Sequence, residues 1–488
     1  MSTDWHERSR LLTPNTQAFI NGRRHDTDEA FTTTTLATEG LEIAECSDHD
    51  VDLAVRSARS AFDDGRWRDL SPAARKKRML AFADLIDLNR EELALLETID
   101  VGKPIGESLR VDAPSAAQTV RWYAEAIDKR YDEIAPTSPD AIALVTREPL
   151  GVIGAVVPWN YPMIISMWKV APALAMGNSV VLKPAEQSPL TAIALANLAS
   201  QAGIPDGVFS VIPGRGPTTG RALGLHPHVD KIAFTGSPET GARFLAYASE
   251  SNLKQVALEL GGKSPHVVLS DAHDLASIAE TIAWGIFYNA GQTCHAGSRV
   301  IIHPDHRDEL LEHLQTFLNG FSVGDPLSEG TSMGPLVDST QLETVGRYVT
   351  IALEDGGSIA AQTPVAKEGT FYPPTVLTDV PTNSRAVREE IFGPVLIIET
   401  APDDDSAITA ANDTDYGLAA AVWSRDIGRA NRAARRIRAG TVWINTFDAA
   451  DIVTPFGGFG RSGFGRDRSL HALDSYAALK TTWTDISN

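Results

Sequence analysis

The sequence predicts an α/β fold made of a helical opening, two parallel-sheet units and a short β-segment. Three observations predict it. From Pro149 onward, short β-branched runs alternate with helical patterns, which is how right-handed crossovers build a doubly wound sheet. The alternation stops near residue 260 and starts again, so there are two such units. The chain has 488 residues, 43% apolar and 22% charged, enough for two or three domains and too apolar for disorder.

The elements follow in order. Val51 to Phe62, Ala73 to Glu97 and Asp112 to Lys129 carry apolar residues at helical spacing. Val152–Val157, Ser179–Lys183, Val208–Ile212 and Lys231–Phe234 read as strands. Between and after them, Met163–Met176, Pro189–Ala202, Thr218–Leu223 and Glu239–Glu250 read as helices. In the second unit His266–Leu269, Arg299–His303 and Val395–Glu399 read as strands, with helices Ala276–Tyr288 and Arg307–Leu318. A last helix, Arg429–Arg438, leads into a strand Gly440–Asn445. Sheets of this kind bind ligands at the carboxyl ends of their strands, and the cleft between two units is the default site.

Composition excludes several functions. A formal net charge of −20 argues against nucleic acid as a main partner. Cys46 and Cys294, the two cysteines, make neither a disulfide framework nor a zinc site, so a reduced, cytoplasmic protein without a metal is expected. Met1 to Arg8 is charged and does not read as a secretory signal. The apolar stretch Gly151 to Leu182 is interrupted by Pro158, Asn160, Pro162, Lys169 and Pro172, so it does not read as a membrane span.

Six short segments carry chemistry. Phe287 to Cys294 (FYNAGQTC) places a Gly-Gln turn before a thiol. A helix or loop start after it would expose backbone N–H groups that lower a thiol's pKa; a lone cysteine is otherwise an inert buried residue, the reading kept for Cys46. Glu259, in LELGGK before Gly261, is either an exposed strand carboxylate or a buried base with a raised pKa. Asn160, in Pro158-Trp159-Asn160-Tyr161-Pro162, offers an amide to a developing oxyanion, or belongs to an ordinary βα turn. Lys183 and Glu186 follow a strand and suit the two hydroxyls of a ribose. Gly236, Ser237 and Gly241 run from a strand into a helix N-terminus that suits a pyrophosphate, or form a plain N-cap. Gly214-Arg-Gly216 is the weakest of the phosphate-type turns.

Taken together, PWNYP, VVLKPAE, FTGSPETG, LELGGK, FYNAGQTC, EEIFGP (Glu389 to Pro394) and PFGG (Pro455 to Gly458) resemble the aldehyde dehydrogenase superfamily in wording and order. Within it, LLETIDVGKPI (Leu95 to Ile105), RWYAEAIDK (Arg121 to Lys129), GIFYNAGQTC (Gly285 to Cys294) and GRDRSLHAL (Gly465 to Leu473) are most similar to bacterial γ-glutamyl-γ-aminobutyraldehyde dehydrogenases of putrescine degradation and their guanidinobutyraldehyde relatives. The resemblance implies a Rossmann-type NAD-binding domain over 1–128 and 150–259, a catalytic domain over 260–468, and an oligomerisation segment over 129–149 and 469–488. It implies a homodimer or homotetramer acting on a small aldehyde, with NAD preferred to NADP because Glu186 would repel a 2′-phosphate.

The resemblance also assigns roles. Cys294 matches the nucleophile, Asn160 the oxyanion donor, Glu259 the base that activates water, and Lys169 a lysine of the proton relay. Pro158, Trp159, Lys183, Glu186, Gly214, Gly236, Ser237, Gly241, Gly261, Glu390 and Phe392 match the cofactor side. Tyr161, Trp168, Tyr288, His295, Phe447 and Phe456 are expected in the substrate tunnel, with Asp112, Asp448 and Asp451 as acidic contacts for an amino-, guanidino- or amide-tailed aldehyde. Two residues depart from many relatives: Asp467 stands where Glu is common, and His295 follows the nucleophile where a smaller or apolar residue is common. His295 is expected either to lend a polar edge to the tunnel or to face a neighbouring helix. A broad-range aldehyde dehydrogenase and a cofactor-independent thiol esterase are the alternatives; the esterase leaves Lys183, Glu186, Gly236 and Ser237 unexplained.

Overall fold

The computed structural model describes residues 4–33 and 40–487; Met1 to Thr3 of the charged opening lie outside the described residues. The first sheet has eight strands, in the order Gly463–Phe464, Gln255–Leu260, Lys231–Gly236, Val152–Val156, Ser179–Lys183, Phe209–Val211, Ala18–Ile20 and Arg23–His25. The middle five are parallel. The chain starts at Val152–Val156, winds to one edge, then returns and adds Lys231–Gly236 and Gln255–Leu260 on the other side. That reversal is a topological switch point, where the carboxyl ends of two strands splay apart and leave a crevice.

Burial explains why the central strands are mostly apolar. Val152–Val156 and Ser179–Lys183 are buried at every position, as strands covered on both faces must be. The helix Pro162–Ala175 packs on this sheet and is itself almost wholly buried. Trp67 is fully buried against it and donates its indole N–H to the Leu174 carbonyl at 2.9 Å.

The amino-terminal helices differ in detail from their periodicity. The stretch expected as one helix from Ala73 to Glu97 is two, Pro72–Leu88 and Arg90–Val101. Asn89 separates them: its side chain donates to the Leu85 carbonyl at 2.7 Å, and its backbone leaves the helical region. Short polar side chains compete in this way with the helical ladder. Gly102, at a φ of 77°, ends the second helix in the left-handed conformation that glycine adopts without penalty. The next helix, Ala113–Ala126, is preceded by a π-helical turn, Ser108–Asp112.

The second sheet has seven strands, in the order Ser358–Gln362, Thr375–Thr378, Val395–Thr400, Arg299–Ile302, Pro265–Val268, Ala419–Trp423 and Thr441–Ile444. All but the first run parallel. Sequence periodicity leaves out Ser358–Gln362, Thr375–Thr378 and Ala419–Trp423. The last of these opens with three alanines, whose weak strand preference is overridden by pairing on both sides.

A third sheet pairs Glu133–Ala135, Ala141–Pro149 and Ala477–Asp485, all antiparallel, with nine register pairs between the two long strands. It stands out from the body and leaves Ile134, Leu479 and Trp483 exposed. The chain does not divide cleanly at residue 468. Gly463–Phe464 extends the edge of the first sheet, pairing with Leu258 and Glu259. Ala472, Leu473 and Tyr476, expected in the oligomerisation segment, are buried in the first core.

Candidate active site

Strand Val152–Val156 ends at the switch point and leads through Pro158 and Trp159 to Asn160. Helix Pro162–Ala175 starts directly afterwards, with proline at its first position, where a missing N–H is harmless. Asn160 is buried; its amide donates to the Gln292 carbonyl at 2.8 Å. Asn289 donates to the carbonyls of Asn160 and Gln292 at 3.1 and 3.2 Å. These bonds tie the turn to the loop that carries Cys294.

That loop is strained. After the helix Leu275–Phe287, Asn289, Ala290 and Gly291 have φ values of 49°, 55° and 70°. Left-handed backbone at a non-glycine residue costs about 1–3 kcal/mol and persists only where its surroundings hold it. At Gly291 any side chain would also collide with the Gly393 carbonyl, 2.1 Å from an ideal Cβ. The strain turns the chain so that Cys294 faces the cleft from a turn, with no helix starting behind it. The expected lowering of its pKa is therefore absent. Burial pushes the thiol well above its usual value, Glu259 and Glu390 add to this, and the His295 backbone N–H opposes it.

Glu259 sits next to last on strand Gln255–Leu260, between Thr235 and Gly463 of the neighbouring strands. It is buried, with one carboxyl oxygen unpaired. Burial pushes its pKa up to about 7, while Lys169 opposes the shift and Asp467 adds to it. Lys169 and Asp467 form a buried ion pair at 2.5 Å. Reciprocal backbone hydrogen bonds between Asp467 and Phe456, both 2.8 Å, hold the aspartate in place. Glu390 is a second buried acid, pushed to about 8 chiefly by burial. Gly262 donates its N–H to it at 3.1 Å. Gly261 must lack a side chain, since its Cβ would lie 1.9 Å from Glu390 Oε2.

The remaining cofactor-side residues ring the crevice. Lys183 Nζ lies 3.8 Å from Glu186 Oε1 and donates to the Pro184 carbonyl at 2.8 Å. Glu186 accepts the Gly216 N–H at 2.5 Å. Gly236 ends its strand, and Ser237 caps the helix Pro238–Glu250 by accepting from the Thr240 N–H. Trp159 and Phe392 meet edge to face at 5.2 Å. A ribose-sized pair of polar groups, a helix N-terminus and an aromatic shelf suit the parts of a dinucleotide. Two of the glycines expected on the cofactor side are also constrained by packing. Gly241 faces Leu260 and Leu258, its ideal Cβ 2.9 Å from Leu260 Cδ2. Gly214, at a φ of 148°, packs on Thr219 and shapes the loop leading to Gly216.

On the opposite side of Cys294 a cavity of about 530 Å³ opens to solvent. Tyr161, Trp168, Tyr288, His295, Phe447, Asp448, Asp451 and Phe456 all line it, as do Trp284, Trp443 and Arg468. Among the described residues there is no group of three or more His, Cys, Asp or Glu placed to hold a metal ion, and no helix long and apolar enough to cross a membrane.

The sequence pattern of the aldehyde dehydrogenase family matches residues 24–482. The chain belongs to the aldehyde dehydrogenase family. It is 45% identical over 486 residues to an NADP/NAD-dependent aldehyde dehydrogenase, PuuC, of Escherichia coli, covering 99% of this chain and 98% of that protein. A crystal structure of an indole-3-acetaldehyde dehydrogenase complexed with NAD+ has a TM-score of 0.97 and 47% identity, covering 99% of both chains. The γ-glutamyl-γ-aminobutyraldehyde dehydrogenase of Burkholderia cenocepacia has a TM-score of 0.96 and 47% identity, again covering 99% of both chains. The protein is thus an NAD(P)-dependent aldehyde dehydrogenase.

In this aldehyde dehydrogenase one expected tunnel residue is elsewhere. Asp112 does not line the cavity; it is fully buried in an ion pair with Lys103 at 2.6 Å, with Glu97 3.5 Å from the same ammonium. The π-helical turn ends at Asp112, and its neighbour Val111 is the one on the tunnel wall. Burial and Asp112 push Glu97 well above the usual carboxylate range. Lys103 Nζ also lies 4.1 Å from the Tyr161 ring, so the cluster braces the tunnel from behind. Lys103→Met leaves the Asp112 charge uncompensated in the interior. The expected loss is about 3–5 kcal/mol, read as a lower urea midpoint; an unchanged midpoint would count against a charged pair.

Arg468, which sequence reading left unassigned, lies with its guanidinium 5.5 Å from the Trp168 ring. It donates to the Asp451 carbonyl and, at 3.4 Å, to the Thr454 hydroxyl. Its only signal in the sequence is its place in the GRDRS segment. Trp284 and Trp443 gave none, because one reads as helix periphery and the other as a core strand residue.

Proposed function

We propose that this enzyme oxidises an amino-, guanidino- or γ-glutamylamino-aldehyde to its acid with NAD, through a thiohemiacetal and a thioester on Cys294. The observation that carries this reading is the aromatic tunnel that ends at Cys294 with Asp448 and Asp451 among its lining residues. A cationic tail would gain from the carboxylates and the ring faces together. An amide tail carrying both charges would also find Arg468.

The Cys294 thiolate attacks the aldehyde carbon. Asn160 and the Cys294 N–H stabilise the oxyanion that forms. Lys183 and Glu186 would hold NAD at its adenosine end, Gly236, Ser237 and Trp159 on the pyrophosphate side, and Glu390 and Phe392 near the nicotinamide, and the bound NAD would supply the hydride acceptor. Hydride loss leaves a thioester on sulfur. Glu259 then takes a proton from the water that hydrolyses it, and Lys169 with Asp467 holds the relay behind Glu259. The exposed apolar side chains Ile134, Leu479 and Trp483 support a homodimer or homotetramer built on the third sheet. Cys46 and Cys294, both free, fit a cytoplasmic setting.

A broad-range enzyme is the second reading, favoured by one observation: Asp448 is already engaged by His295 at 2.8 Å. NADH formation on aldehydes of matched length decides between them, with amine, guanidinium, γ-glutamyl amide and alkyl ends. A preference of about tenfold for a polar tail, roughly 1.4 kcal/mol, is expected. It should shrink in Asp451→Asn, and NAD should outperform NADP in the same assay. Equal turnover of the alkyl aldehyde would leave the broad-range enzyme.

A further inference from the structure

His295 follows Cys294 directly, and its ring turns back on the thiol: Nδ1 lies 3.7 Å from Sγ. Its other nitrogen, Nε2, lies 2.8 Å from Asp448 Oδ1. An ionised carboxylate can only accept, so Asp448 selects the tautomer with its proton on Nε2. That leaves the Nδ1 lone pair facing the sulfur. The arrangement is held on both sides. Asp448 sits in left-handed backbone, at a φ of 56°. The imidazole is wedged beside Phe456, Trp443 and Phe447, at centroid distances of 5.5, 5.9 and 6.2 Å, and is 14% exposed.

We propose that His295 accepts the Cys294 thiol proton and that Asp448 is its positioning residue. The S–H bond breaks, an Nδ1–H bond forms, and both electrons of the old bond stay on sulfur. The product is a thiolate beside an imidazolium, whose second N–H is bonded to Asp448. The thiolate then attacks the aldehyde, and the imidazolium releases its proton to solvent at the tunnel mouth. This rests on Cys294 being the nucleophile. It answers a problem the site sets itself, since burial, Glu259 and Glu390 all disfavour a bare thiolate. A cation one bond-length of proton transfer away offsets them, and a thiolate no longer donates to Glu259, with which the thiol is hydrogen-bonded.

The charged groups around the pair come from several elements. Glu259 and Glu390 act on the thiol from the cofactor side, with Lys169 and Asp467 behind Glu259. Asp448 backs the ring, and Arg468 lies within its field and that of Asp451.

The test is alkylation of Cys294 by iodoacetamide across a pH series, without cofactor or aldehyde, with the labelled site identified by mass spectrometry. His295→Ala and His295→Phe, the second keeping an aromatic wall, are expected to alkylate about tenfold or more slowly at neutral pH, with the rate rising only at higher pH. Asp448→Ala should fall between these and the native enzyme. Asp448→Asn should lie between Asp448→Ala and native, because its amide oxygen still accepts from Nε2–H but carries no charge to stabilise the imidazolium. Native profiles in both folded His295 variants overturn the proposal while leaving Cys294 as nucleophile. Aldehyde oxidation surviving in Cys294→Ser would overturn both.

Discussion

Cys294→Ala is expected to lower kcat for aldehyde oxidation by on the order of 10⁴-fold or more, the scale seen when a covalent nucleophile is deleted. The argument is local. Three successive left-handed residues bend the chain so that this thiol, and no other, faces both the tunnel and the cofactor crevice. Cys46, the second thiol, is buried near Lys183 and cannot substitute for it. The oxyanion donor and the base survive the change, so residual activity measures what Asn160 and Glu259 do without a covalent intermediate. NAD binding, followed by tryptophan fluorescence, should be unaltered because the cofactor-side residues lie on other elements. Activity within tenfold of native would rule out the thioester route. Loss of NAD binding as well would mean that the strained loop had collapsed.

The parts of this site written in contiguous residues were legible in the sequence. Strand, turn and helix fall in one short segment around Asn160, and the same holds for Gly236 and Ser237, so periodicity alone placed them at the carboxyl ends of strands. What escaped depended on contacts between distant segments. Asp112 had the right charge for a tunnel contact, but its orientation is decided by Lys103 and Glu97, and a buried ion pair leaves no trace in hydropathy. Arg468 reaches the tunnel mouth only because the chain after Gly463 returns to the edge of the first sheet. The contact of His295 with its own neighbour was illegible for a different reason. Adjacent side chains normally diverge, and only the bent loop together with Asp448, 153 residues away, brings the ring onto the sulfur. The helix break at Asn89 was a weak local signal overlooked beside strong apolar periodicity.

Glu259→Gln separates the two halves of the reaction. Acylation does not need the carboxylate in the proposed scheme, so the variant should release about one equivalent of NADH per site in a burst. Steady turnover should then fall about 10²–10⁴-fold, the usual contribution of a general base. Glutamine keeps the shape and burial of the residue but cannot take a proton from water. In the native enzyme the pH dependence follows from the same group. Burial raises the carboxyl to about 7, and only its ionised form acts as a base, so deacylation should climb as pH rises through about 7 and level off above it. The charges behind it set the midpoint. Asp467 raises the Glu259 pKa and Lys169 lowers it. Asp467→Asn removes a neighbouring negative charge, so its midpoint should move to lower pH and its turnover under mildly acidic conditions should hold up better than native. Two outcomes would count against this account. A Glu259→Gln enzyme with no burst places the carboxylate before hydride transfer, in thiol activation. A native profile flat across neutrality means that the water is deprotonated by some other group, and the buried pair Lys169–Asp467, close behind Glu259, would be the place to look.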